Sequence, residues 1–171
     1  GLSDNLLTVT ALAAQCPLVI APAMDGGMFD HPATQENLAK LKERGAIIVG
    51  PVQGHLASGL TGTGRMVEPA EILGHIRVVL GKKGKLAGKK IVVTAGGTQE
   101  ALDPVRVITN HSSGKQGYAL AQAALDSGAD VCLITAPTAL TPPVGARVVK
   151  VNSAEEMLNA VLAESADALI M

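Results

Sequence analysis

The run VVTAGGTQEALDPVRVITNHSSGKQG, from Val92 to Gly117, constrains the fold of this chain more than any other segment. Its β-branched start, Ile91 to Thr94, reads as a strand that delivers the backbone into Gly96 and Gly97. Glycines there tolerate positive φ and let a phosphate approach the main chain closely. Further on, Asn110, Ser112, Ser113 and Gly114 precede the apolar-periodic residues Tyr118, Leu120, Ala121, Ala124 and Leu125. The unpaired N–H groups of a helix start, and the positive end of its dipole, then face the same crevice. That order describes an anion site at the carboxyl edge of an open sheet. A purely structural reading stands beside it, because turns need glycine and a Ser or Asn before a helix is first of all a cap. Two phosphate loops are excluded: the fingerprint GxGxxG is absent, and SSGKQG lacks both the earlier glycine and the hydroxyl after lysine of a Walker A loop.

The rest of the chain alternates strands and helices, which argues for an α/β protein with parallel sheets. The spacing of Leu2, Leu6, Leu7, Val9 and Leu12 predicts a helix within Gly1 to Gln15. A strand follows at Leu18 to Ala21, then a PAMDGGMF loop, then a helix that opens on Pro32 and runs to Arg44 before Gly45 stops it. Ala46 to Val49 reads as a strand, Gly50 to Gly64 as a mobile glycine-rich loop, and Pro69 to Leu80 as a helix. GKKGKLAGKK has the composition of an exposed connector, with glycines for freedom and solvated lysines, so the domains are expected at 1–80 and 90–171 with a linker at 81–89. Beyond it come strands at Lys90 to Thr94, Val131 to Thr135, Arg147 to Val151 and Ala168 to Met171, with helices at Gly114 to Ser127 and Ala154 to Ala163. The first segment has no strand ahead of it and the last strand has no loop behind it, so each domain is expected to be incomplete.

Composition narrows the function classes. A net charge of -1, with Phe29 and Tyr118 the only aromatics, argues against a nucleic-acid binder, which needs a basic stripe or stacking platforms. Cys16 and Cys132 are too few and too far apart for a disulfide framework or a metal cluster. No signal peptide or membrane-spanning run is present, so a cytoplasmic protein without a membrane partner is the expectation.

The segment GGTQEALDPVRVITNHSSGKQGYALAQAA closely resembles the nucleotide-binding start of the phosphopantothenate–cysteine ligase domain in the bifunctional proteins of bacterial coenzyme A biosynthesis. Upstream, APAMDGGMFDHPATQENLAKL and GHLASGLTGTGRMVEPAEI resemble the substrate-clasping segment and the flap of the same family's other half, phosphopantothenoylcysteine decarboxylase. The resemblance covers nearly the whole chain and implies two three-layer Rossmann-like units, a flavodoxin-like decarboxylase portion followed by a nucleotide-binding ligase portion. It also implies small-molecule partners (4'-phosphopantothenate, cysteine and phosphopantothenoylcysteine) and a homo-oligomer whose sites are completed by neighbouring subunits.

For the ligase, the family uses CTP with Mg2+. The substrate carboxylate attacks the α-phosphate, pyrophosphate leaves, and the amino group of cysteine captures the acyl-cytidylate. The resemblance assigns Gly96, Gly97 and Thr98 to the triphosphate cradle, Asn110 to the acyl-cytidylate, and Ser112, Ser113 and Gly114 to the helix-start anion site. Arg106 has two readings, a phosphate donor or a partner of Asp103 three residues earlier, and the second is favoured. His111 and Lys115 are left outside the site, and no metal ligands are assigned.

For the decarboxylase, the family uses FMN as the electron sink. Ala23 and Met24 fall on the flavin side, and Asp25 and Met28 on the substrate. Two residues depart from the family. Asp25 stands where an asparagine contacts the substrate carboxylate, and Ser58 stands at the catalytic flap position of a cysteine acid, where a hydroxyl is a far weaker proton donor. The family's catalytic histidine and first flavin-phosphate loop match nothing here, so the isolated chain is expected to be inactive. The alternatives are a short-chain reductase-like NAD(P) module, disfavoured by the missing fingerprint, and a non-catalytic oligomerisation module for the first half.

Overall fold

The computed structural model describes residues 2–171; Gly1, where the expected first helical segment begins, lies outside them. The chain divides into two compact units, Gly1–Ile76 and Arg77–Met171.

In the first unit, helix α1 (Leu6–Ala13) starts on Asn5, whose side chain accepts from the Thr8 N–H at 3.0 Å while Thr8 Oγ1 accepts from Asn5 N at 3.3 Å. β1 (Val19–Ile20) is short, and the expected PAMDGGMF loop contains a one-turn helix, α2 (Gly26–Phe29), because the Asp25 side chain caps it. α3 (Pro32–Glu43) opens on Pro32, with His31 Nδ1 accepting from Ala33 N–H at 3.2 Å, and ends at Gly45 with φ +90°. β2 (Ile47–Ile48) pairs parallel with β1. Among the described residues this unit therefore holds a two-stranded parallel pair, not a three-layer sheet.

The expected loop at Gly50 to Gly64 is instead an antiparallel hairpin, β3 (Val52–His55) and β4 (Thr61–Arg65). Its glycines pack rather than loosen it: Gly54 lies opposite Gly62, and Gly59, at φ +84°, makes the turn that lets Leu56 N–H reach Leu60 O at 2.9 Å. α4 (Pro69–Gly81) follows.

The connector 82–89 is a series of turns packed on the second unit. A Cβ on Gly84 would stand 2.2 Å from Ser127 O, Leu86 N–H donates to that same carbonyl at 2.8 Å, and Leu86 packs against the core. Gly84 thus serves close approach, whereas Gly88, at φ +77°, has open space around it and serves a turn.

β5 (Lys90–Ala95) is followed by a small hairpin, β6 (Gln99–Ala101) and β7 (Val107–Thr109), where the sequence reads as an irregular loop. Then come α5 (Lys115–Asp126), β8 (Asp130–Thr135), β9 (Arg147–Lys150), α6 (Ala154–Leu162) and β10 (Ala168–Ile170). The sheet is wholly parallel in the order β10-β5-β8-β9. Strand alternation sends Ile91, Val93 and Ala95 toward Tyr118, Ala121 and Leu125 of α5, while Val92, Cys132 and Ile134 meet Met157, Ala160 and Val161 of α6. The helices thus cover opposite faces. The chain runs outward from β5 to β8 and β9 and then returns to the other side of β5 at β10, so a topological switch point lies between β5 and β10.

Candidate functional site

The switch point is where a doubly wound sheet opens a crevice, and a cavity of about 450 Å³ lies there. Its walls come from the end of β5 (Thr94, Ala95) and the Gly96 that follows it, the segment 111–117, Ile170 of the neighbouring β10 and the adjoining Met171. Two glycines in the left-handed region shape it: Gly96 at φ +87° turns the chain out of β5, and Gly114 at φ +72° begins α5. A Cβ on Gly96 would stand 3.0 Å from Ala136 O, and one on Gly114 would stand 3.4 Å from Gly96 N. Side chains at these positions would crowd the backbone amides of the crevice.

The helix start is open to a ligand. Gly114 occupies the N-cap without a side chain to bond the first turn, and Ser113 Oγ reaches only Lys115 N–H, at 3.4 Å. The N–H groups of Gln116 and Gly117 find no acceptor among the described residues. Unpaired donors at a dipole's positive end are suited to an anion. Of the two serines expected as caps, Ser113 bonds the first residue of the helix, and the N–H groups of Gln116 and Gly117 are left free of it.

Of the residues singled out for this crevice, Gly96, Ser112, Ser113 and Gly114 line it together. Gly97, Thr98 and Asn110 sit beside it. A Cβ on Gly97 would be 2.9 Å from Asn110 O, and Thr98 O accepts from the Thr109 hydroxyl at 2.8 Å, which ties the glycine turn to the far strand of the β6–β7 hairpin. His111 and Lys115, left out on the sequence, also line the cavity. Their signal was their position in the helix-start segment itself. Asp103 does bind Arg106: Oδ1 accepts from the Val105 and Arg106 N–H groups at 2.9 and 2.7 Å, and Oδ2 from Arg106 Nε at 2.5 Å. The Val105 N–H, then the guanidinium, hold that carboxyl below its usual range.

In the first unit, Ala23, Met24, Asp25 and Ser58 line a separate cavity of about 350 Å³, together with Leu56 and Met66. Ser58 Oγ donates to Asp25 Oδ2 at 2.6 Å. Met28 is 61% exposed and lies outside the lining. Among the described residues no group of three or more His, Cys, Asp or Glu is placed to hold a metal ion. Nor is any helix among them long and apolar enough to cross a membrane.

These features define an α/β protein with an open crevice at its switch point, lined by an uncapped helix start. Residues 86–171 match the family described as DNA/pantothenate metabolism flavoprotein C-terminal domain, and residues 1–81 match the family described as Flavoprotein. The chain belongs to the DNA/pantothenate metabolism flavoprotein family. It is 47% identical over 167 residues to a coenzyme A biosynthesis bifunctional protein CoaBC of Vibrio vulnificus (strain YJ016), covering 98% of this chain and 41% of the relative. It is 48% identical to that of Mycobacterium tuberculosis (strain ATCC 25618 / H37Rv), covering 100% of this chain and 43% of the relative. A cysteine/cysteine sulfinic acid decarboxylase from an unknown prokaryotic organism is 48% identical, covering 94% of this chain and 46% of that protein. A crystal structure of the C-terminal domain of a CoaBC protein is 50% identical over 48% of this chain and 43% of that one, at a TM-score of 0.48. The chain spans about two fifths of the length of the curated CoaBC relatives it matches.

Proposed function

We propose that the chain carries parts of two enzymes of coenzyme A synthesis, a CTP-dependent phosphopantothenate–cysteine ligase in 90–171 and an FMN-dependent phosphopantothenoylcysteine decarboxylase in 1–80, joined by 81–89. In this reading each part belongs to a three-layer Rossmann-like unit, the first of them flavodoxin-like. The observation that carries it is the crevice between β5 and β10, where unpaired helix-start amides and two left-handed glycines meet.

The crevice residues suit a nucleoside triphosphate. The N–H groups of Gln116 and Gly117 donate to phosphate oxygens, while Gly96 and Gly114 keep the backbone uncovered and Gly97 and Thr98 hold the turn in place. The Ser112 and Ser113 hydroxyls add donors at the rim, and Asn110, exposed beside Gly97, supplies an amide to the acyl-cytidylate. With no carboxylate cluster among the described residues, Mg2+ arrives on the phosphates.

The first unit suits one end of a substrate rather than a whole cofactor. Its cavity has an apolar floor from Ala23, Met24, Leu56 and Met66, and its one guanidinium, on Arg65, is paired with Glu68. These residues alone do not cradle a flavin phosphate, so Ala23 and Met24 back the FMN side, Asp25 and Met28 meet substrate, and Ser58 occupies the flap position. FMN supplies the electron sink for decarboxylation. The partners in this reading are 4'-phosphopantothenate, cysteine and phosphopantothenoylcysteine, in a cytoplasmic homo-oligomer. Exposed apolar side chains on the β6–β7 hairpin, Val105 at 90% and Ile108 at 58%, support self-association.

Calorimetric titration tests the ligase assignment: CTP with magnesium binds, and NADH and NADPH bind more weakly. Preferential binding of a dinucleotide overturns it. In a complete parent protein Asn110→Ala lowers ligase kcat/KM about 10- to 100-fold, as loss of charge-assisted contacts predicts, and leaves the melting temperature unchanged. Equal kinetics would remove Asn110 from the site.

A further inference from the structure

Two segments of the first unit that are remote in sequence meet through one pair of side chains. Asp25 Oδ1 accepts from the Gly27 N–H at 3.2 Å and caps α2, while Oδ2 accepts from the Ser58 hydroxyl at 2.6 Å, at the turn of the β3–β4 hairpin. A second tie holds the hairpin's last strand. Met24 N–H donates to Gly64 O at 2.9 Å, and the approach is so close that a Cβ on Gly64 would stand 2.1 Å from Met24 O. The cavity of about 350 Å³ lies among these same residues.

We propose that Asp25 and Ser58 act as one unit, a latch in which the carboxylate accepts the serine's hydrogen bond, so that Ser58 positions the hairpin over the cavity and does not serve as a proton donor. The argument is one of donor counting. A hydroxyl has a single proton, and with that proton directed at Asp25 the serine oxygen is an acceptor toward anything else. The aspartate is needed in its ionised form, because Oδ1 and Oδ2 both accept; an asparagine would put an NH2 donor at one of those two positions, where it cannot accept from the Gly27 N–H or the Ser58 hydroxyl. The Ser58 hydroxyl, followed by the Gly27 N–H, lowers the Asp25 pKa, which keeps the carboxylate ionised at neutral pH. A wall built from a carboxylate and an acceptor hydroxyl suits a ligand group that donates, such as an amide N–H, over a carboxylate. The latch rests on contacts within this unit and not on the decarboxylase assignment. Hydrogen exchange without flavin or turnover separates the failure of one from the failure of the other.

The experiment is amide hydrogen exchange on the full chain at neutral pH, read over the hairpin, with the β8 amides as an internal reference for folding. Ser58→Ala and Asp25→Ala each speed exchange at residues 56–60 about three- to tenfold, the range expected for an exposed charge-assisted bond. The double variant is no faster than the faster single one, because either change opens the same latch. Ser58→Thr keeps the hydroxyl and keeps the protection. If Asp25→Ala speeds exchange while Ser58→Ala does not, Asp25 is a helix cap only and the latch is wrong. Additive effects, or a threonine variant as fast as the alanine one, overturn it equally.

Discussion

The two units hide their apolar residues to very different degrees. In the second, Val93, Ala121, Val131, Leu133 and Ile134 have no exposed surface, and a helix covers each face of the sheet. In the first, Val49 and Val67 are the buried hydrophobic residues among those described, and α1 leaves Leu6 84%, Leu7 79% and Leu12 70% exposed. The second unit has a core of its own, whereas much of the apolar surface of the first faces nothing described. A four-stranded parallel sheet with both faces covered can hold a crevice rigid; a two-stranded pair with a hairpin depends on local ties such as that between Asp25 and Ser58.

The largest expected effect of that contrast is at Leu133, which is fully buried in β8. Leu133→Ala destabilises the second unit by about 2–5 kcal/mol in chemical denaturation, the cost of an unfilled core cavity. A loss below about 1 kcal/mol would mean that this core is as loosely packed as the first unit.

A smaller loss is expected where α5 docks on β5. A Cβ on Gly117 would lie 2.6 Å from Ala95 Cβ and 2.7 Å from Thr94 O, so Gly117→Ala forces the helix start off the strand. The cost is about 1–3 kcal/mol of stability, with weaker CTP binding as the crevice distorts. Unchanged binding with lowered stability would detach the helix start from the nucleotide site.

The pH dependence of the second unit is a finer probe. Glu164 bonds to Arg147 at 2.5 Å and to Lys90 at 3.0 Å, and these two cations, Arg147 foremost, bring its pKa from 4.5 down to about 2. The folded pKa is the lower one, so the unfolded chain binds the proton more tightly. The contribution is complete above about 4.5 and is lost as pH falls toward 2. Denaturation midpoints measured from pH 6 to pH 2 should decline over that window, and Glu164→Gln should flatten the decline. An identical pH profile in the variant would assign it to other carboxylates.

The smallest effect is expected at α1. Leu12→Ser changes stability by less than about 0.5 kcal/mol, since the side chain is 70% exposed, and reduces self-association seen in sedimentation. A loss comparable to Leu133→Ala would show that α1 is covered in solution.

Elements with strong local signals were legible in the sequence. Pro32 opens α3, Gly45 closes it, and the β-branched run at Ile91 to Thr94 is the central strand β5. The crevice was legible too, because Gly96 and Gly114 stand where the backbone needs positive φ. Both hairpins were missed for one reason. Glycine in β3–β4 and the charged turn between β6 and β7 weaken local strand propensity, while the pairing that forms each hairpin comes from a second segment. The connector misled in the opposite sense at Gly84, which looks flexible but stands where Ser127 O leaves no room for a Cβ.

The sequence by itself determined the α/β class, the helix start at Pro32 and the glycine-rich residue types around the crevice, because each follows from backbone preferences over a few neighbouring positions. Tertiary structure alone decided the strand order that puts β10 beside β5, the closure of the hairpin onto Met24 and Asp25, and the inclusion of His111 and Lys115 in the crevice wall. These depend on contacts between segments far apart in the chain, where the outcome is set by which surfaces fit together and not by what any one segment prefers.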